Sequence, residues 1–192
     1  SSGDTSTLTI SVAPVNDAPV GVADTRTAVE GSITLQGSVL GNDTDIDVPT
    51  TLTVTQVMSG TNPAEGLVGG SATITTALGG TVVINSDGTF TYTAPIFHHD
   101  GSNTPYADSF SYMANDGVAS TSWTTVTLNV GDTTPTAIAD TASVALGGTV
   151  NGNLLGNDVA VDSPATVTSV TFNGTTQTIA AGGSATFDTP KG

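Results

Sequence analysis

One sequence element occurs twice, and this most constrains the fold. Residues 19–49 read PVGVADTRTAVEGSITLQGSVLGNDTDIDVP, and residues 135–164 read PTAIADTASVALGGTVNGNLLGNDVAVDSP. The copies agree at Pro19/Pro135, Ala23-Asp24-Thr25/Ala139-Asp140-Thr141, Gly31/Gly147 and Leu40-Gly41-Asn42-Asp43/Leu155-Gly156-Asn157-Asp158. Gly69-Gly70-Ser71-Ala72-Thr73 returns as Gly182-Gly183-Ser184-Ala185-Thr186, giving a period of about 115 residues. That period is too long for a solenoid unit and suits a string of independent β-domains. Thr7-Leu8-Thr9-Ile10-Ser11-Val12 resembles Thr125-Val126-Thr127-Leu128-Asn129-Val130, each just upstream of an Ala-Asp-Thr element. The frame follows: residues 1–13 are expected to be the last strand of a preceding repeat. Residues 14–131 are expected to form one complete repeat, and residues 132–192 the first half of the next.

Composition supports β structure. There are 37 Thr in 192 residues, and the strong helix formers Leu, Lys, Glu and Arg are scarce. β-Branched side chains fit a pleated, half-buried surface. Period-two alternation places strands near Val20–Ala28, Ser32–Leu35, Leu52–Met58, Ala72–Thr76, Thr81–Ile84, Thr89–Thr93, Asp108–Met113 and Ser122–Val130. Phe90 and Tyr92 fall on one face, as do Phe110 and Tyr112, and as do Val126 and Leu128. Ser86-Asp87-Gly88 marks a hairpin. Trp123 is out of phase with Val126, which predicts a bulge or an exposed tryptophan.

The formal charge is -15, and the only cations besides the chain terminus and histidine are Arg26 and Lys191. Such a surface repels phosphate, so neither nucleic-acid binding nor docking on anionic lipid is expected. No run reaches the roughly 18 apolar residues of a membrane span, so no membrane insertion is expected. With zero Cys there are no disulfides, thiolate nucleophiles or cysteine-held metals. No Gly-x-Ser-x-Gly elbow, phosphate loop or His-Glu-x-x-His helix is present, and no enzymatic activity is expected.

The acids are 15 Asp and 2 Glu. Asp caps turns through its short side chain, and it is also the usual hard-oxygen ligand of calcium. Asn42, Asp43, Asp45 and Asp47 form the densest stretch. It lacks the Gly and the Glu of an EF-hand, so it is not one, but alternate carboxylates on a loop can turn toward one ion. Asp158 and Asp162 are their counterparts in the second copy, where Ala160 replaces Asp45. Asp17 and Asp24 flank Pro19, and Asp132 and Asp140 flank Pro135, so each pair could share an ion at a joint. Asp116, in Asn115-Asp116-Gly117, is first a turn residue that could reach the same end. His98-His99-Asp100 reads as a polar surface loop.

The ordered series Ala-Asp-Thr, Leu-Gly-Asn-Asp, Asn-x-Asp-Gly-Thr-Phe-Thr-Tyr-Thr, Asp-Ser-Phe-Ser-Tyr and Asn-Asp-Gly resembles the bacterial Ig-like, cadherin-like tandem repeats of giant surface adhesins, including those of RTX type. Asn16-Asp17-Ala18-Pro19 is similar to a cadherin interdomain linker. The resemblance implies an all-β sandwich, an extracellular or bacterial cell-surface location, and calcium as cofactor at the joints. It also implies neighbouring repeats of the same chain as partners, with a cell-surface or matrix ligand engaged elsewhere in the protein. The expected function is a structural spacer. Two alternatives are a ligand-binding sandwich, with Tyr106, Trp123, His98 and His99 cradling a sugar or protein, and a filament subunit whose strand Thr7–Val12 completes another copy's sheet.

Overall fold

The computed structural model describes residues 3–47, 51–60, 65–97, 105–161, 165–180 and 182–186. Residues 98–100 and 162, which include His98, His99, Asp100 and Asp162, lie outside the described residues.

The described residues form eleven strands: β1 (Asp24–Val29), β2 (Ile33–Ser38), β3 (Thr53–Met58), β4 (Glu65–Gly66), β5 (Ser71–Thr75), β6 (Thr81–Asn85), β7 (Thr89–Thr93), β8 (Tyr106–Asn115), β9 (Thr124–Gly131), β10 (Ser169–Phe172) and β11 (Thr175–Thr178). The only helical element among the described residues is a 3-10 turn at Val39–Gly41. A five-stranded sheet ordered β1-β9-β8-β3-β4 and a four-stranded sheet ordered β2-β7-β6-β5 make an all-β sandwich, and β10-β11 is a separate hairpin.

Alternation decides the core. Phe90 and Tyr92 point inward from β7, and Phe110, Tyr112 and Ala114 from β8; Val126, Leu128 and Val130 do so from β9. The rings of Phe90 and Phe110 meet edge to face at 5.2 Å across the two sheets. On β3, Val54 and Val57 are both buried although three residues apart. A register shift against β8 between Val54 and Gln56 absorbs the odd residue. Trp123 precedes β9 and is partly exposed, so its phase costs the sheet nothing.

Two expectations are revised. The strand expected from Val20 begins only at Asp24, with Val20 making an isolated bridge to Thr44. Residues 7–12 form no strand, and Leu8, Ile10 and Val12 are exposed, because no partner edge lies beside them among the described residues. Asp140–Ala145 in the second copy likewise forms no strand.

The β6–β7 turn requires glycine. Gly88 has φ +81°, and a Cβ there would stand 2.5 Å from Ser38 Oγ and 2.7 Å from Leu40 Cγ. Ser38 donates to Asp87 O at 3.0 Å, and Val39 N donates to Gly88 O at 3.0 Å, so neither neighbour can retreat freely. Gly88→Ala is expected to cost about 2–3 kcal/mol from the left-handed backbone and overpacking together. Urea unfolding measures it, and a loss below a few tenths would show that the turn relaxes.

Candidate functional site

The Asp-rich segments converge on one end of the sandwich, where they hold the backbone leading into β1. Asp116 Oδ2 accepts from Asn16 Nδ2 at 2.9 Å, and Asp47 Oδ2 accepts from Asp17 N at 2.8 Å. Val20 and Thr44 exchange backbone bonds of 2.7 and 3.0 Å. Asp43 Oδ1 accepts from Val22 N at 2.8 Å, and Asn42 Nδ2 donates to Val22 O at 3.1 Å. The segment 16–22 is therefore fastened step by step to loops from two places in the sequence, residues 42–47 and the turn at Asp116. Short acids can do this because each carboxylate reaches a nearby amide without a long flexible stem.

Asp43 is anchored in turn from the core. The Tyr112 hydroxyl lies 2.8 Å from Asp43 Oδ2 and 3.0 Å from Val39 O. Burial, and then the Asp43 carboxylate, pushes the Tyr112 phenol far above its ordinary value, so it remains a donor. Asp116 is held below the usual carboxylate range by Ala119 N, then by the Asn16 amide and Val118 N. It is therefore ionised where it meets the linker.

Two carboxylate oxygens, Asp24 Oδ2 and Asp45 Oδ2, are buried with no hydrogen-bond partner among the described residues. Asp24 Oδ1 pairs with Arg26 Nη2 at 2.9 Å. Burial raises the Asp24 carboxyl while Arg26 opposes that shift. Asp45 Oδ1 accepts from Asp47 N at 2.8 Å. Asp43, Asp45, Asp47 and Asp87 line an open cavity of about 590 Å³, and Asp17 and Asp45 line a second hollow. A desolvated carboxylate oxygen without a donor favours a cation or a water, and hard oxygen donors suit calcium. The donor chemistry fits that ion. Even so, among the described residues no three acidic or histidine side chains come close enough together to hold a metal by themselves. Backbone carbonyls and water would have to complete any shell.

The second copy repeats the fastening. Thr136 and Val159 exchange bonds of 2.9 and 3.0 Å, and Asp158 Oδ1 accepts from Ile138 N at 2.8 Å. These are the counterparts of Val20, Thr44, Asp43 and Val22. Asp140 and Asp158 share one hollow, while Asp132 lies in the linker before Pro135.

Glu30 was not among the residues expected to matter. It is 3% exposed, and its Oε1 accepts from Thr133 N at 3.0 Å and its Oε2 from Phe97 N at 3.2 Å. It thus grips the second linker from the β1–β2 turn. Beside it Gly31 lies under Ile96 and Val161, whose Cγ1 atoms would be 3.3 and 3.6 Å from a Cβ built there. The only sequence signal was rarity: it is one of two Glu in the chain.

Of the side chains expected to cradle a ligand, Tyr106 stacks on Phe97 at 4.6 Å and Trp123 stands partly exposed before β9, while His98 and His99 lie outside the described residues.

No curated protein matches the chain. A family model described as bacterial cadherin-like domain matches residues 16–132, more than half of the chain.

Proposed function

Since this chain belongs to the bacterial cadherin-like domain family, we propose that it is an extracellular structural module, a spacer in a long repetitive surface protein. The observation that carries this reading is the fastened linker. Asp43 and Thr44 hold residues 20–22, and Asp158 and Val159 hold residues 136–138 in the same manner. A spacer needs each joint to enter its domain along a fixed path, and the carboxylates of the loop supply that path. Family members are typically structural and adhesion modules.

The joints are the proposed calcium sites. Asp17, Asn42, Asp43, Asp45, Asp47 and Asp116 would serve the first, with Asp24 behind them in the core. Asp132, Asp140, Asp158 and Asp162 would serve the second. Bound calcium would neutralise these acids and stiffen the linker. The unpartnered Asp45 Oδ2 supports the first site.

Thermal melts in millimolar calcium and in sodium chloride of equal ionic strength test the reading, because matched salt reproduces general screening of the -15 charge. An ion binding only the folded chain adds about 2.7 kcal/mol at a hundredfold excess over Kd. The expected result is a higher melting temperature and a more extended scattering profile in calcium alone, most of the gain being lost in Asp45→Asn. Identical melts and radii of gyration in the two salts would remove calcium from the mechanism.

A further inference from the structure

The second copy also meets the sandwich through a side chain. The turn from β1 to β2 passes through Gly31, whose φ is +65°. A Cβ there would stand 3.3 Å from Ile96 Cγ1 and 3.6 Å from Val161 Cγ1. Ile96 follows β7 in the sandwich, while Val161 lies in the second copy, three residues past the Asp158 of Leu-Gly-Asn-Asp. Two apolar side chains, one from each repeat, therefore close over one bare stretch of backbone. Glycine leaves that opening, since it takes the left-handed turn without strain and carries no Cβ to fill the gap. Val161, resting on Gly31, is 38% exposed, whereas its counterpart Ile46 in the first copy is 76% exposed.

Glu30 holds this socket from behind. Its carboxylate accepts from Phe97 N, beside Ile96, and from Thr133 N in the linker. Its own amide donates to Gly131 O at 3.1 Å, and Gly31 N donates to Ala94 O at 3.1 Å. One residue thus fixes the wall of the socket and the exit of the chain together. The linker is short: Gly131 ends β9 and Thr136 is bridged to Val159, which leaves residues 132–135 between them. Thr133 is gripped within that stretch, and Pro135 has a fixed φ. With so few free torsions Val161 stays at high effective concentration beside Gly31, and a contact of a few methyl groups is enough to choose one orientation.

We propose that Gly31 and Ile96 form a socket for the following repeat of the chain, and that Val161 seated in it sets the direction of the joint without a cation. Glu30 is the positioning residue. The partner is specified by its chemistry: a repeat whose loop presents a β-branched apolar side chain three residues past the Asp of Leu-Gly-Asn-Asp. The inference rests on the spacer reading and gives the joint a part that calcium does not supply. Bound calcium would stiffen the linker along the direction that the latch has chosen. In the second loop Ala160 stands where the first has Asp45, so this joint has one acid fewer and depends more on the apolar contact.

Because the chain has no cysteine, spin labels attach only where a thiol is introduced. Thr125→Cys on β9 and Thr175→Cys on β11 are both at exposed positions. In chelator the distance between the two labels should be distributed about a single value. Ile96→Ala with Val161→Ala should broaden that distribution at least about twofold, because repeats without a fixing contact move relative to each other. Neither residue belongs to the buried core, so the melting temperature should stay within about two degrees. Val161→Ile keeps a β-branched apolar side chain and should keep the narrow distribution. Added calcium should leave its centre in place. Glu30→Gln turns one acceptor into a donor, so the amide of Thr133 or of Phe97 should exchange at least about tenfold faster, while Val126 and Leu128 keep their protection. A distribution in chelator as broad in the unaltered chain as in the double alanine variant would overturn the proposal. So would a centre that moves when calcium is added, or unchanged exchange at both amides in Glu30→Gln. The melts in matched salts that test the spacer reading depend on none of these results, so the two readings can fail separately.

Discussion

Phe110→Ala is expected to destabilise the sandwich by about 3–5 kcal/mol, from lost transfer energy and the cavity left behind. Phe110 is 1% exposed, at the inward face of β8 between β3 and β9. Its edge-to-face contact with Phe90 is the point where the two sheets meet through aromatic rings. Neighbours on three strands cannot close the hole without breaking the ladders that hold them. Against a typical stability of about 5–15 kcal/mol this is a large fraction, and it should lower the melting temperature by on the order of ten degrees or more. Phe110→Leu keeps most of the volume and should cost about 1–2 kcal/mol. If Phe110→Ala melted within about a degree of the parent, the inward face of β8 would be misassigned.

Asp108→Ala should have an effect of similar size for a different reason. Asp108 is 1% exposed, and its carboxylate is met by neutral donors. Its Oδ2 accepts from the Tyr92 hydroxyl at 2.7 Å and from the Thr76 hydroxyl. Its Oδ1 accepts from Ser109 N at 2.9 Å and Leu78 N at 3.4 Å. Asp108 lies on the five-stranded sheet, Tyr92 on the four-stranded one, and Thr76 just after β5, so one carboxylate ties the layers together. Burial, then the bond to Asp108, pushes the Tyr92 phenol far above its ordinary value, and it donates at any working pH. Alanine would strand the buried Tyr92 hydroxyl and remove the acceptor of the Ser109 and Leu78 amides, at roughly 1–3 kcal/mol for each buried donor left unpaired. The Thr76 hydroxyl keeps Gly80 O at 3.2 Å, so the loss is about 3 kcal/mol. Asp108→Asn retains one acceptor oxygen and should lose about half as much. In a double-mutant cycle with Tyr92→Phe the losses should fall short of additive by about 1 kcal/mol or more. Strict additivity in urea melts would mean that the two groups do not act together.

Much of this core was legible in the alternation that selected Phe90, Tyr92, Phe110, Tyr112, Val126 and Leu128, all buried. The same alternation places Asp108 on the inward face with Phe110 and Tyr112, so its burial was implied by a pattern usually read only for apolar residues. Glu30 was less accessible. It stands at the end of β1, where no periodicity distinguishes an inward glutamate from a solvated turn, and its partner Thr133 is 103 residues away.

The candidate site divides in the same way. The acids around each linker proline and in each Leu-Gly-Asn-Asp loop were visible as repeated residues. What each acid does was not: Asp43 receives the hydroxyl of Tyr112, Asp47 the amide of Asp17 and Asp116 the side chain of Asn16, while Asp45 keeps one oxygen unpartnered. Those assignments depend on segments 30 to 100 residues apart along the chain.

Most strands of the complete sandwich, their inward faces, the turn at Gly88 and the repeated Leu-Gly-Asn-Asp element were set by the sequence alone, because side-chain period and turn chemistry act over a few neighbouring residues. The parallel register of β1 on β9, the order of strands in each sheet, and the choice of which carboxylate meets a buried tyrosine were decided only by tertiary structure. Each is a pairing between distant segments. A local pattern states which face of a strand must be covered, but the covering strand is selected by burial and hydrogen-bond satisfaction across the whole domain.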